Sequence, residues 1–179
     1  MMSKACLVPV MLVALIATAP AAAQGIKNHN SNAPVDFEAD RIEVQDRADR
    51  AVLAGNVKVR QGGLALDAAR LTVAYTGAIT AGNPTVQRLD ASGGVTVRSA
   101  NETARGQFAT YDLNRRLITM IGGVTLNQGS NVLRGGRLVI DLATGRSIVD
   151  GRSSGGAPGI VGGTGGRVTG RFSVPQRNN

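Results

Sequence analysis

The stretch of sequence that decides the fold runs from residue 53 to residue 75: Leu53-Ala-Gly-Asn-Val-Lys-Val-Arg-Gln-Gly-Gly-Leu-Ala-Leu-Asp-Ala-Ala-Arg-Leu-Thr-Val-Ala-Tyr75. Apolar residues alternate in it with polar or small ones, a period of two that is typical of β-strands with one buried face. Gly55-Asn56 and Gly62-Gly63 interrupt the alternation, and these residue types accept the positive φ angles of tight turns. The stretch therefore predicts three short strands separated by two turns.

The same pattern returns along the chain at a fixed period. A glycine opens a β run at Gly55, Gly93 and Gly122, which are 38 and 29 residues apart, and more weakly at Gly151. A second marker, a small residue followed by apolar alternation, returns at intervals of 29, 38 and 29 residues, at Ala39, Ala68, Gly106 and Gly135. One 29-residue unit with a single insertion of nine residues after Tyr75 explains both series. Such a period predicts an all-β array whose units bury their apolar faces against their neighbours.

The first 23 residues are predicted to be a cleavable secretory signal peptide. Lys4 is their only charge, residues 5–19 are apolar, and Ala21-Ala-Ala23 offers a cleavage site before Gln24. The alternative is an uncleaved membrane anchor, although the apolar run is shorter than the ~20 residues of a membrane span. Export takes the mature chain out of the cytoplasm. Cys6 is the only cysteine, so cleavage leaves a chain without disulfides or thiolate chemistry.

The mature chain is long enough for one domain. We expect a flexible segment over 24–34, the β-array over 35–151 with a loop over 76–87, and a Gly/Arg-rich tail over 152–179. The tail is polar and contains no acidic residue, a composition that favours disorder, although residues 168–174 add at most a weak strand.

The composition favours a binding or structural protein over an enzyme. His29 is the only histidine, so neither a metal site nor a cofactor is expected. Gly151-Arg-Ser-Ser-Gly155 fits a nucleophile motif around Ser153, but no histidine follows it and no helix is predicted there. A hydrolase therefore remains only as an alternative, and no catalytic residue is assigned. The formal net charge of +8 is compatible with nucleic acid, but export and a mature chain with only five aromatic residues argue against it.

The alternation predicts which side chains point inward, because a slip of one residue would turn the charged Lys58 and Arg60 inside. An interior of valine, leucine and isoleucine suits aliphatic chains, and the alternative is a closed core filled by the protein's own side chains. The predicted groove residues are Val35, Phe37, Val57, Val59, Leu64, Leu66, Leu71, Val73, Val95, Val97, Val124, Leu126, Leu138 and Ile140.

The predicted signal peptide and four runs resemble LptA, the periplasmic lipopolysaccharide-transport group of the OstA-like family. The runs are Val35-Asp-Phe-Glu-Ala-Asp-Arg41, Leu53-Ala-Gly-Asn-Val-Lys-Val-Arg-Gln-Gly62, Leu64-Ala-Leu-Asp-Ala-Ala-Arg-Leu-Thr-Val73 and Tyr111-Asp-Leu-Asn-Arg-Arg-Leu-Ile-Thr-Met-Ile-Gly-Gly-Val124. The resemblance covers about 35–151. It departs from the family at Ala69, where an aspartate is usual, which weakens a turn cap.

The resemblance implies an antiparallel β-jellyroll, folded like a taco shell with an open seam. It implies a non-enzymatic bridge that shields the acyl chains of lipopolysaccharide on the way from an inner-membrane complex to an outer-membrane translocon. Val35 and Phe37 match the family's lipid-contacting pair, and the implied partners are an LptC-like and an LptD-like protein with the same jellyroll. A cleavable signal and a short chain argue that this protein is neither partner itself.

The end strands of such an array carry unpaired backbone groups that invite strand addition by a similar fold. Two non-identical edges favour head-to-tail contacts, including self-assembly. The predicted docking-edge residues are Val35, Ile42, Val44, Leu138, Val139 and Ile140. The alternatives are a structural or adhesive β-solenoid and a carrier of a different lipid, such as phospholipid.

Overall fold

The computed structural model describes residues 26, 29–77, 82, 84–151 and 166–172. In these residues the chain forms ten β-strands and a short 3-10 turn at Asp46–Ala48. The strands are β1 (Val35–Glu38), β2 (Arg41–Gln45), β3 (Arg50–Gln61), β4 (Leu64–Thr76), β5 (Thr85–Arg98), β6 (Glu102–Asp112), β7 (Leu117–Gln128), β8 (Asn131–Asp141), β9 (Arg146–Asp150) and β10 (Thr169–Arg171). Among the described residues, no helix is long and apolar enough to cross a membrane.

All ten strands belong to one antiparallel sheet. Its order is β1-β3-β4-β5-β6-β7-β8-β10, with β2 also pairing with β3 and β9 with β8. The 29-residue unit is one hairpin of this sheet, and an equivalent hydrogen bond closes each unit. The backbone N–H groups of Tyr75, Leu113 and Leu142 donate to the carbonyl groups of Asp49, Gln87 and Arg116 over 3.0, 3.0 and 2.9 Å. These positions keep the predicted 38- and 29-residue spacing, so the insertion extends one unit without shifting the next.

A line of β-bulges, which we call the crease, crosses the sheet. At Gly55-Asn56, Gly93-Gly94 and Gly122-Gly123, two residues of one strand lie opposite a single residue of its neighbour. All six residues have positive φ, between 46° and 87°. The prediction that Gly55-Asn56 is a turn between two short strands is therefore wrong, because β3 runs unbroken for 12 residues. A bulge and a tight turn require the same positive φ, and only Gly62-Gly63 reverses the chain.

The crease divides the sheet into two leaves whose inner faces share one core. Leaf A comprises 41–45, 50–54, 70–76, 85–92, 108–112, 117–121, 137–141 and 146–150; leaf B comprises 35–38, 57–61, 64–68, 95–98, 102–106, 124–128, 131–135 and 169–171. Leu71 and Ile118 of leaf A are buried in the same cluster as Val57 and Val95 of leaf B. Gly106 lies on the inner side of the crease, where an added Cβ would be 3.3 Å from Val124 Cγ1. Small residues at the crease therefore allow the leaves to converge.

The two ends of the described chain are more ordered than their composition predicts. In the N-terminal segment expected to be flexible, Ile26 is buried in the core and Ala33 N donates to Asn30 O over 3.1 Å. In the tail expected to be disordered, β10 pairs with residues 132–134 of β8, and the weak strand anticipated over 168–174 is seen over Thr169–Arg171. Both segments are ordered by contacts with residues that are distant in the sequence, and composition alone does not predict such contacts. The loop expected over 76–87 is also shorter, because β4 continues to Thr76 and β5 begins at Thr85.

The structure confirms an all-β antiparallel jellyroll with open end strands. One folded sheet, creased along its bulges, replaces the two separate sheets of a sandwich. The predicted signal peptide of 1–23, most of the tail and Ser153 lie outside the described residues.

Candidate functional site

The predicted groove residues all turn toward the interior between the leaves. Twelve of the fourteen are buried, and Val35 and Phe37 pack against the buried set. Lys58 and Arg60 remain exposed on the outer face, as the alternation requires. The inward orientation is therefore observed, and contact with lipid stays a prediction. Most of the interior is filled by the protein's own side chains, with Leu71, Ile118 and Met120 fully buried.

At the N-terminal end the interior opens into an apolar cavity of about 160 Å³. It is lined by Phe37 of leaf B, by Pro84 and by six residues of leaf A. The leaf A residues are Ile42, Ala51, Leu53, Val73, Tyr75 and Val86. The Tyr75 hydroxyl, the one polar side-chain group in this set, donates to Asp46 Oδ1 over 3.3 Å. Ile42 and Val44 of β2, which pair with the inward Leu53 and Ala51, are 53% and 52% exposed. The apolar interior thus reaches solvent at this edge.

The C-terminal end also exposes apolar side chains. Gly170 of β10 pairs with Leu133, which packs against the core. The alternation places Val168 and Phe172 on the same inner side as Gly170. Both are exposed, Phe172 by 60%. The interior therefore presents apolar side chains at both open edges of the sheet.

Opposite the crease, the leaves meet along a seam bridged by the buried Gln61. Its Oε1 accepts a hydrogen bond from Tyr111 OH of leaf A over 2.7 Å, and its Nε2 donates to the carbonyl oxygens of Ser31 and Ala33 over 3.0 and 3.1 Å. His29 Nε2 lies 3.2 Å from the same Oε1. Burial lowers the pKa of His29 and raises the pKa of Tyr111, so burial favours the neutral form of both side chains. Residues 29–33 therefore close this part of the seam through an uncharged network.

Glu102 places a carboxyl group at the inner side of leaf B. It is only 5% exposed and accepts a hydrogen bond from Gln128 Nε2, while its Oε2 has no partner among the described residues. Burial raises the pKa of Glu102, and the bond from Gln128 opposes this shift. Neither Gln61 nor Glu102 was predicted as an interior residue. The alternation along their strands indicates that both point inward, because Gln61 lies two residues from the buried Val59 and Glu102 lies two residues from the buried Ala104.

The structure moves the C-terminal docking edge by one strand. Val35, Ile42 and Val44 lie in β1 and β2, which among the described residues pair on one side only, with β3. Leu138, Val139 and Ile140 lie in β8 and pair with both β7 and β9, so their backbone groups are not at an edge. The prediction that these three form the docking edge is corrected, because the returning segments β9 and β10 cover β8. The described part of the chain ends the sheet with β9 in leaf A and β10 in leaf B.

The described residues offer no metal centre, since no group of three or more His, Cys, Asp or Glu side chains among them could hold an ion. Among the described residues, the arrangement offers a shielded apolar interior, an apolar cavity at its N-terminal end, exposed apolar side chains at both ends and two edges without strand partners. These are properties for holding an apolar ligand and for adding strands end to end.

Comparison with known proteins agrees with this geometry. The family model described as LptA/(LptD N-terminal domain) LPS transport protein matches residues 36–146. An uncharacterized protein of Rhizobium meliloti (strain 1021) is 34% identical over 131 residues, which cover 71% of this chain and 70% of that protein.

One solved structure shares the fold. It is the crystal structure of LptH, described as the LptA homologous periplasmic component of the conserved lipopolysaccharide transport device from Pseudomonas aeruginosa. The match has a TM-score of 0.67 and covers 80% of this chain and 98% of that chain, at 18% identity. The sequence resemblance to the OstA-like proteins is therefore confirmed, and the chain belongs to the family of LptA and LptD N-terminal domain lipopolysaccharide transport proteins.

Proposed function

We propose that this protein is a periplasmic bridge component that carries lipopolysaccharide from an inner-membrane complex to an outer-membrane translocon. The observation that supports this function best is an apolar interior with exposed apolar side chains at both unpaired edges of one folded sheet and a cavity at the N-terminal edge. An interior that is apolar up to both edges can pass a ligand along, whereas a core closed by polar ends cannot. The protein acts in this proposal by binding and shielding, without catalysis.

The energy of acyl-chain burial is sufficient for binding. Each buried CH₂ contributes ~0.8 kcal/mol, so a chain of a dozen carbons gains about 5–10 kcal/mol when most of it is covered. Because side chains fill the middle of the interior, an entering chain must displace them and separate the leaves. In this proposal the cavity at Phe37 and Ile42 receives the first part of the chain, and the seam opposite the crease is where the leaves part.

The unpaired edges support assembly with similar folds. The sheet would extend head to tail, with β1 and β2 of one unit next to β9 and β10 of another. This arrangement brings together the apolar side chains at the edges of successive units. We propose an LptC-like partner at the N-terminal edge and an LptD-like partner or another copy of this chain at the C-terminal edge.

Displacement of a fluorescent fatty-acyl probe tests the groove. Phe37→Asp should weaken probe binding at least about tenfold, because an unpaired carboxylate would face the apolar cavity. The matched control is Phe108→Asp, since Phe108 is 52% exposed and alternates with the buried Ala109, so it faces outward. This control should bind the probe as the wild type does, and circular dichroism should show a β spectrum for both.

Competition against the acyl probe identifies which lipid the protein binds. Lipopolysaccharide should displace the probe more effectively than phospholipid micelles. Preferential displacement by phospholipid would indicate a carrier of a different lipid, and no binding of any acyl probe would favour a purely structural β-array. Unchanged binding by Phe37→Asp would reject the groove assignment.

A further inference from the structure

The outer face of leaf B, across β6, β7, β8 and β10, has a composition that the proposed lipid function does not use. Its outward side chains alternate with the inward Ala104, Leu126 and Leu133. We call this surface the arginine face and define it by Thr103, Arg105, Thr125, Asn127, Arg134 and Arg171. The remaining two outward positions are Val132 and Thr169, so no carboxylate lies on the face.

The arginines of this face are not neutralised by the protein. Arg105, Arg134 and Arg171 are exposed and have no ion-pair partner in the part of the chain that the structure describes. Elsewhere the outer surface carries both charges. In leaf A, Arg88 bonds Asp90 over 2.8 Å and Arg137 lies 3.5 Å from Asp150. In leaf B itself, Arg98 of β5 pairs with Asp67 of β4. The abundance of arginine in the whole chain therefore does not explain a face from which acidic residues are missing.

The sheet spaces these cations regularly. Arg105, Thr125 and Arg134 are register partners on three successive strands, so the Cα atoms of the two arginines are about 10 Å apart. Arg171 pairs with Val132, two residues along β8 from Arg134. Arg134 and Arg171 line a shallow depression of about 340 Å³ with Val132, Thr169 and Gly170. One small anion cannot reach all three arginines, whereas an extended polyanion can.

The chemistry of the face selects among polyanions. Guanidinium groups bind carboxylate or phosphate in a planar, two-bonded geometry, and the threonine and asparagine side chains can bond hydroxyl groups. The exposed large apolar side chains of the described residues lie off this face. The face therefore lacks the apolar groups that anchor proteins in bilayers, the apolar core of a protein interface and the aromatic platforms that stack nucleic-acid bases. We propose that the arginine face binds a linear anionic polysaccharide.

Binding to fluorescently labelled polygalacturonate tests this surface in the full mature chain. The wild type should bind this probe and should bind neutral dextran much more weakly. The triple variant Arg105→Gln/Arg134→Gln/Arg171→Gln should lose at least about tenfold in affinity, since three exposed charge contacts each contribute a modest amount. Binding by the wild type should weaken as salt rises, because exposed charges are screened.

The matched control has the same change in net charge on the outer face of leaf A: Arg50→Gln/Arg88→Gln/Arg146→Gln. It should stay within about twofold of the wild type, because a local surface and not total charge determines binding. Equal loss in both variants would overturn the proposal, as would equal binding to dextran. Tight binding to vesicles of phosphatidylglycerol and phosphatidylcholine without polygalacturonate binding would also overturn it. Acyl-probe binding should be unchanged in both variants, so failure of this proposal is distinguishable from failure of the lipid function.

Discussion

At the scale of single residues, the two buried polar side chains of leaf B show how the interior departs from a simple apolar core. Gln61 satisfies its amide by joining Tyr111 to the segment before β1. Glu102 keeps one carboxylate oxygen without a partner among the described residues. An unsatisfied buried polar group costs about 1–3 kcal/mol. Glu102 therefore lowers the stability of the folded state.

Glu102→Gln should raise the free energy of unfolding by about 1 kcal/mol at pH 7.5, because it removes a buried charge and keeps an acceptor for Gln128. Burial raises the pKa of Glu102 above its ordinary value of 4.5. The folded wild type therefore binds a proton more readily than the unfolded chain and loses stability as the pH rises from 4.5 through the raised pKa. The advantage of the variant should shrink as the pH falls toward 4.5, measured by urea unfolding at several pH values. An advantage that does not change with pH would contradict the assigned burial effect.

At the scale of the elements, the bulges decide the shape of the sheet. Alternation in Val57-Lys-Val59 and Leu71-Thr-Val73 predicted the inward side chains correctly, because a half-buried strand has one apolar face wherever it bends. Alternation did not separate the bulge at Gly55-Asn56 from the turn at Gly62-Gly63, since both need positive φ. It also did not identify β9 as the end strand, because pairing between distant segments leaves no local mark in the sequence. Lipid contact by Phe37 remains a prediction from the resemblance.

Gly93 and Gly94 form a matched pair for testing the bulge of β5. Both have positive φ, 84° and 81°, so alanine at either position costs about 1–3 kcal/mol of backbone strain. A Cβ on Gly93 would also lie 2.7 Å from Ala69 Cβ. A Cβ on Gly94 would have no atom within 4 Å apart from those of Gly94 and its two chain neighbours. Gly93→Ala should therefore destabilise the protein more than Gly94→Ala in urea unfolding. Adding Ala69→Gly should return the Gly93 variant to the level of Gly94→Ala, and failure of this rescue would reject the contact as the cause.

At the scale of the whole molecule, the open edges and the exposed apolar side chains beside them are one feature, because a neighbouring unit that extends the sheet would also cover these side chains. Val44 belongs to the N-terminal edge and Phe172 to the C-terminal edge. A charged side chain on an edge strand blocks further pairing. The head-to-tail proposal therefore predicts different behaviour for the two edges.

Under this proposal the wild type should form a ladder of oligomers in size-exclusion chromatography with light scattering. Val44→Lys and Phe172→Lys should each be monomeric at the same concentration. An equimolar mixture should form one-to-one heterodimers, because each variant keeps the edge that the other needs. Self-dimers of either variant would instead show that identical edges pair.

The central claim is that the interior of this folded sheet carries lipopolysaccharide. A photo-crosslinking amino acid placed in the full chain at Phe37 in living cells tests it most directly, with the outward Phe108 as the control position. Irradiation should link lipopolysaccharide to position 37 and not to position 108. Capture of phospholipid alone at position 37, or equal capture at both positions, would contradict it.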